Sequence, residues 1–301
     1  MEKAAYDFLQ TFDGLRIRWA YWRTGHMQRN GTVVLLGGRA EFIEKYEETV
    51  HDLGVRGFDV YAMDWRGQGL SERMLDDADK GFVETYEHYV RDLKDFLETI
   101  VLDRCPRPLI LMAHSMGACI VLHFLERHRD IVDKGVLMSP MVDVRTNPMP
   151  YALAKWCSRQ FVRLGRGDAA IPSLQRNDSY GRPFRSNWLT SDPARFRRVQ
   201  AVLKKNPRLG VRLVTFSWLS ATFAALDQLR RPDFCTSIQT PLLLVAAGND
   251  RVVSNDAIRQ LAGRLAHSRS MTIDGARHEI LQERDGMRSR FWQAFDGFVG
   301  R

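Results

Sequence analysis

Three residue types that together turn a serine into a nucleophile occur in this chain at ordered positions: Ser115, Asp250 and His278. A serine hydroxyl attacks a carbonyl only when a histidine takes its proton and a carboxylate holds that histidine in one tautomer. Ser115 lies in LILMAHSMGACI, between the apolar run Pro108–Met112 and the helical pattern Met116–Arg127. A strand, a sharp turn and a helix with serine at the apex would raise Oγ above a sheet edge. Viewed alone, the same serine also reads as a helix N-cap. Gly117 supplies the small residue that the crowded helix side needs, whereas Ala113 stands where such turns usually carry glycine. Alanine adopts the extended conformation of a strand end, so Ala113 is expected to crowd the turn without abolishing it.

The partners come later in the chain. Asp250 follows the apolar run Pro241–Ala246, and His278 follows the strand-like stretch Ser270–Ile273 within DGARHEIL. Catalytic groups of open α/β sheets collect at such carboxyl ends. Asp143, just beyond the run Lys134–Met138, is the rival acid; His114 and His123 read as packing groups of the turn and the following helix. Acyl transfer also needs donors aimed at the developing oxyanion. The backbone N–H of Met116 is one candidate. The backbone N–H of Arg39, in the glycine-bearing loop LLGGRAE, is the other.

These loops need a rigid frame. Thr32–Gly37, Asp59–Asp64, Pro108–Met112, Lys134–Met138 and Pro241–Ala246 are short apolar runs of the kind that form buried parallel strands. Amphipathic stretches alternate with them, as in Phe82–Leu102, and the alternation predicts a parallel sheet covered on both faces. Phe8–Trp22, with Asp13-Gly14 at its centre, reads as a hairpin leading into that sheet. After Pro140 the pattern stops, and it resumes at Pro241. The expected organisation is a core of residues 1–140 and 236–301, interrupted by a helical cap over 141–235. In that cap Val211–Leu229 is apolar almost all round and predicts a buried helix, whose Phe216, Trp218, Leu219 and Phe223 either line an acyl-chain tunnel or pack the cap.

The 301 residues carry a net charge of +8, and its distribution is uneven. Met141–Cys235 holds fourteen Arg, three Lys, six Asp and no Glu, a net +11, so the remainder sums to −3. Such a segment either attracts an anionic partner, whether phospholipid headgroups, an anionic substrate or nucleic acid, or simply solvates helix faces. Helix-turn-helix, finger and basic-aromatic sheet signatures are missing, which argues against nucleic acid. The four cysteines are widely spaced without a C-x-x-C pair, which suggests neither a zinc site nor a disulfide framework. With no long apolar run and no secretory pattern at the N-terminus, a cytoplasmic location is expected.

Taken jointly, several blocks resemble the bacterial lysophospholipases and monoacylglycerol lipases of the α/β-hydrolase superfamily. AHSMGA is similar to that family's G-H-S-M-G-G turn, AMDWRGQGLSER to its D-x-R-G-x-G-x-S loop, AAGNDRVV and DGARHEIL to its acid and histidine segments, and GGRAEFIEKYEE to its oxyanion loop. Asn187–Asp192 (NWLTSD) resembles the lysophospholipase branch in particular. The chain departs from the pattern at Ala113 and at Gly37, where the oxyanion loop commonly opens with histidine. The resemblance implies an α/β-hydrolase fold, a mostly parallel central sheet with helices on both faces and an inserted helical cap. It also implies a Ser115–His278–Asp250 ester hydrolase acting on single-chain lipids, with no metal or organic cofactor. The DWRGQGLSE loop would be structural support, with Arg66 and Asp64 holding it by ionic hydrogen bonds. The remaining alternatives are a short-chain carboxylesterase, an acyltransferase or peptidase using the same triad, and a non-catalytic binding protein on the same fold.

Overall fold

The computed structural model describes residues 2–144, 146, 149–172, 181 and 183–300. Its chain opens with an antiparallel hairpin, β1 (Ala5–Gln10) and β2 (Arg16–Trp22), in which Phe8 faces Arg18. The turn between them uses Gly14 at φ 87°, a left-handed conformation that glycine adopts without a Cβ clash. The core then alternates: β3 (Gly31–Leu36), α1 (Glu47–Val55), β4 (Phe58–Met63), α2 (Tyr86–Phe96), β6 (Leu109–His114), α3 (Met116–Arg127) and β7 (Lys134–Met138), with the short β5 (Lys80–Gly81) between β4 and α2. After a long connection come β9 (Leu242–Ala247), α7 (Asn255–Arg264), β10 (Ser268–Ile273) and α8 (Asp285–Val299).

Among the described residues these strands make one eight-stranded sheet in the order β1-β2-β4-β3-β6-β7-β9-β10. Pairing is parallel from β4 to β10 and antiparallel at β1 and β2. Both faces of the central strands are buried, because successive side chains point to opposite sides. On β6, Leu109, Leu111 and Ala113 pack with α2 and α3, whereas Ile110 and Met112 pack with α1 and α8. This is the α/β-hydrolase fold.

The connection from β7 to β9 carries α4 (Tyr151–Arg163), α5 (Pro193–Lys205), β8 (Leu213–Val214) and α6 (Phe216–Leu229). Helix α6 lies on α4, with Phe216 stacked on Phe161 at 3.9 Å and Phe223 edge-on to Tyr151 at 4.8 Å. Two helix boundaries differ from expectation. The helix expected from Val211 begins at Phe216, because the Thr215 hydroxyl caps Trp218 N and Leu213–Val214 instead pairs with β5. The one expected from Phe82 begins at Tyr86, capped by Thr85, and ends in a π-helical turn over Leu97–Val101.

Candidate active site

The parallel strands share one carboxyl edge, and the loops leaving it meet at Ser115. That residue follows β6 directly and adopts φ 51° and ψ −114°, a conformation that costs an L-residue on the order of 1–3 kcal/mol. It is held there from both ends: Ser115 N donates to Met138 O at 3.0 Å, and Met141 N donates to Ser115 O at 3.1 Å. The tight point of the turn is Gly117, where an added Cβ would come within 2.4 Å of Gly37 O. Ala113 is an ordinary strand residue of β6, paired with Leu36 and Leu137, and its methyl fills the core. Glycine is therefore required where helix α3 passes the end of β3, and not on the strand side.

His278 Nε2 lies 2.9 Å from Ser115 Oγ, and His278 Nδ1 lies 2.7 Å from Asp250 Oδ2. A carboxylate accepts only, so the ring carries its proton on Nδ1 and turns the Nε2 lone pair toward the hydroxyl. Asp250 Oδ1 accepts from Val252 N and Val253 N. Burial works to raise the Asp250 carboxyl, but His278 and these two N–H groups outweigh it and hold it below the usual range. Asp143 is elsewhere, paired with Arg230 at 3.1 Å.

The loop after β3 crosses directly over the serine, since a Cβ at Gly38 would sit 3.1 Å from Ser115 Cβ. Gly38 N–H donates to Glu41 and Ala40 N–H to Gln68. Among the described residues, the N–H groups of Arg39 and Met116 have no protein acceptor. Trp65 Nε1 donates to Gly37 O at 2.8 Å and fastens the loop from the other side.

His114, read from the sequence as a packing residue, connects the parts. Its Nδ1 lies 3.0 Å from Glu41 Oε2, and its Nε2 lies 3.1 Å from His278 O. A carboxylate and a carbonyl both only accept, so both ring nitrogens donate and the imidazole is charged. Burial works to lower the His114 pKa, and the Glu41 charge more than reverses this. Glu41 also accepts from Lys45 Nζ and Tyr46 OH, each at 2.5 Å, and Lys45 lies 2.7 Å from Glu279. The buried cluster thus balances two cations with two anions, as a low-dielectric interior demands. Glu41 gains enough from His114 and Lys45 to overcome burial and lies well below the ordinary carboxylate range.

The NWLTSD segment is a strap onto the histidine loop. Glu279 N donates to Leu189 O at 2.8 Å, Thr190 Oγ1 to Gln282 O at 2.6 Å, and Arg277 Nη1 to the carbonyls of Asn187 and Thr190. Asp192 then caps α5. The DWRGQGLSE loop is structural by a different pairing from the expected one. Arg66 does not bond Asp64; it grips Asp92 with two bonds of 2.6 Å and reaches Asp13. Asp64 instead accepts from Ile43 N, Leu70 N and Arg18, and burial raises its carboxyl to about 6. Gly69 is needed because any side chain there would overlap the Asp64 carboxylate.

Of the four cap residues singled out in sequence, Trp218 lies beside the oxyanion loop, its ring 5.2 Å from the Arg39 guanidinium carbon. Leu219 packs at the core margin, and Phe216 and Phe223 face α4. A cavity of about 350 Å³ opens beside the loop, between Arg39, Ala40, Glu41, Lys45 and Glu279 on the sheet side and Leu189, Gln200, Leu203, Lys204 and Arg212 on the other. A larger depression of about 510 Å³, at Phe8, Arg16, Leu70 and Arg208, is lined by the DWRGQGLSE loop and includes none of Ser115, Asp250, His278, Arg39 and Met116. Among the described residues no cluster of three or more His, Cys, Asp or Glu side chains is placed to hold a metal ion.

Known proteins share this arrangement of chain. The family described as "Serine aminopeptidase, S33" matches residues 27–285. Lysophospholipase L2 of Escherichia coli (strain K12) is 33% identical over 302 residues, covering 96% of this chain and 85% of its own. The monoacylglycerol lipase of Mycolicibacterium smegmatis is 27% identical over 277 residues, covering 90% of this chain and 88% of its own. A solved soluble variant of the Saccharomyces cerevisiae monoglyceride lipase superposes with a TM-score of 0.78 at 17% identity, over 99% of this chain and 96% of that one.

Proposed function

The chain belongs to the serine aminopeptidase S33 family of α/β-hydrolases, and from that membership we propose that it is a serine ester hydrolase of single-chain lipids whose nucleophile is Ser115. The observation that carries the assignment of residues is the unbroken relay from Asp250 through His278 to Ser115 Oγ, at 2.7 and 2.9 Å. Lysophospholipase and monoacylglycerol lipase relatives support the lipid substrate.

In the proposed reaction, Ser115 Oγ attacks the ester carbonyl carbon while His278 Nε2 takes its proton. The N–H groups of Arg39 and Met116 hold the oxyanion, an interaction worth roughly 3 kcal/mol per donor. The imidazolium then protonates the departing glycerol oxygen. Water, deprotonated by His278, attacks the acyl-serine, and collapse of the second tetrahedral intermediate frees the fatty acid and restores Ser115. Asp250 stays ionised throughout and fixes the ring.

Residues 141–235 are read as the cap that delivers the lipid, with the acyl chain passing Trp218 and Leu219. Helix α4 supports a peripheral approach to a membrane: Leu153, Trp156 and Phe161 are exposed, Trp156 by 59%, beside Arg159 and Arg163. Among the described residues no helix is long and apolar enough to cross a bilayer. We place the protein in the cytoplasm, peripherally at the inner membrane face. Equal association with neutral and anionic vesicles at low salt would remove the electrostatic part.

The test is hydrolysis of lysophospholipids, a monoacylglycerol and p-nitrophenyl esters of rising chain length, with Ser115→Ala alongside. Activity on long-chain esters that vanishes in the variant is expected. Activity confined to acetyl and butyryl esters, or surviving in Ser115→Ala, would overturn the reading.

A further inference from the structure

The reaction uses Arg39 through its main chain, which leaves the side chain without a task. Among the described residues the buried cations Arg18, Lys45, Arg66, Arg288 and His114 each pair with at least one carboxylate, whereas Arg39 is half-buried. Arg39 pairs with none among the described residues. Its Nη2 donates to Leu213 O at 2.9 Å, its Nε is sealed from solvent without a partner, and its guanidinium rests against the Trp218 ring. Among the described residues the groups acting electrostatically on it are the phenols of Tyr89 and Tyr86, with no acid among them. Desolvation lowers it to about 10, so it remains charged at neutral pH. A partly desolvated cation without a counter-ion is costly, and such a group beside a cavity is suited to a ligand that supplies the missing anion.

The surroundings suit such a ligand. Arg39 lines the cavity beside the oxyanion loop, whose polar wall also carries Gln200 and Lys204. Two further cations at this cavity are already matched, Lys45 by Glu41 and Glu279, and Arg212 by Asp79. We propose that this cavity is a subsite for the phosphate of a glycerophospho leaving group, with the Arg39 guanidinium as its anchor. The assignment rests on the ester-hydrolase reading above and narrows it to lysophospholipids in preference to monoacylglycerols. One residue then serves both ends of the scissile region. Its N–H meets the ester carbonyl, and its side chain, reaching from the same Cα into the cavity, meets the headgroup on the alcohol side. A guanidinium fork matches two phosphate oxygens, and Trp218 backs its plane. The neutral glycerol of a monoacylglycerol leaves the charge unmatched.

The experiment compares kcat/KM for a lysophosphatidylglycerol and a monoacylglycerol of the same acyl chain, both presented in neutral detergent micelles so that surface charge is common. The wild-type enzyme is expected to favour the lysophospholipid. Arg39→Gln, which keeps the backbone N–H, should shrink that preference by about tenfold or more, the size of a lost charge-assisted hydrogen bond, and Arg39→Lys should recover part of it. An equal fall on both substrates would assign the side chain to structure alone and overturn the subsite. With wild-type enzyme, glycerol 3-phosphate should compete against monoacylglycerol hydrolysis where glycerol does not. No competition would also overturn it, and competition by inorganic phosphate at equal strength would replace the headgroup by a free phosphate. If Ser115 reacts with a fluorophosphonate probe but neither lipid is cleaved, the ester-lipid reading fails, and the subsite with it.

Discussion

The His114 ring donates from Nε2 to the carbonyl oxygen of His278, 3.1 Å away, while its Nδ1 holds the Glu41 carboxylate that in turn fastens Gly38 N. The residue before the proposed nucleophile thereby sets both the loop of the proposed general base and the loop of the proposed oxyanion donor. Misplacement of reacting groups by about an ångström costs on the order of a hundredfold in rate.

His114→Gln should therefore fold and lower kcat by roughly tenfold to a hundredfold with a smaller change in KM. The rate of Ser115 labelling by a fluorophosphonate should fall in parallel. A variant with raised KM and unaltered labelling would show that His114 only supports the cap.

The same pair predicts a pH dependence of stability. Glu41 raises the folded-state pKa of His114 above 6.5 against the pull of burial, so the stabilisation is complete below pH 6.5 and is lost as pH climbs through the raised value. Glu41, lowered below 4.5, acts in the opposite window and loses its contribution as pH falls. Thermal unfolding from pH 6.5 upward should show wild-type Tm declining and a flatter His114→Gln curve. Parallel curves would mean that another group titrates there; Lys45, Glu279, Tyr46 and His278 also face the cluster.

Asp250→Asn should lower kcat by roughly four orders of magnitude, as loss of the orienting carboxylate does in the serine-protease case, because the amide favours the wrong tautomer. Asp143→Asn, which breaks only the pair with Arg230, should leave kcat within about twofold, a change within the range of a weak surface ion pair. The reverse ranking would reassign the acid.

At the turn, Gly117→Ala must push the Gly37 carbonyl away and should cost about 1–3 kcal/mol with most of the activity. Ala113→Gly should keep activity and lose roughly 0.5–1 kcal/mol, the ordinary penalty for glycine inside a strand. Chemical denaturation with steady-state rates on both variants decides this.

Thr190→Val removes the bond to Gln282 O that straps the NWLTSD segment to the histidine loop. A loss near 1 kcal/mol is expected, together with a KM increase on long-chain esters that exceeds the change on p-nitrophenyl acetate. Equal effects on both esters would confine the strap to stability.

Much of the frame was legible in the chain. Apolar runs alternating with amphipathic stretches marked the parallel strands, because a strand buried on both faces must be apolar at every position. The hairpin followed from Asp13-Gly14. Boundaries slipped where a hydroxyl competes for the backbone, as at Thr215, since helical periodicity does not register a cap. The DWRGQGLSE loop was legible as structural, yet Arg66 was paired there with the wrong acid, because it reaches Asp92 across 26 residues of sequence.

Local sequence alone determined the alternation of elements, the serine at a strand-to-helix junction, and the order of serine, acid and histidine. Each is a matter of near-neighbour sterics and of side-chain periodicity, which a short window contains. Tertiary structure decided which acid meets the histidine, why Gly117 rather than residue 113 must be small, that His114 is charged, and that Arg39 has no counter-ion among the described residues. Those outcomes depend on groups brought together from distant strands into a low-dielectric interior, where charge balance and ångström-scale contacts have no signature along the chain.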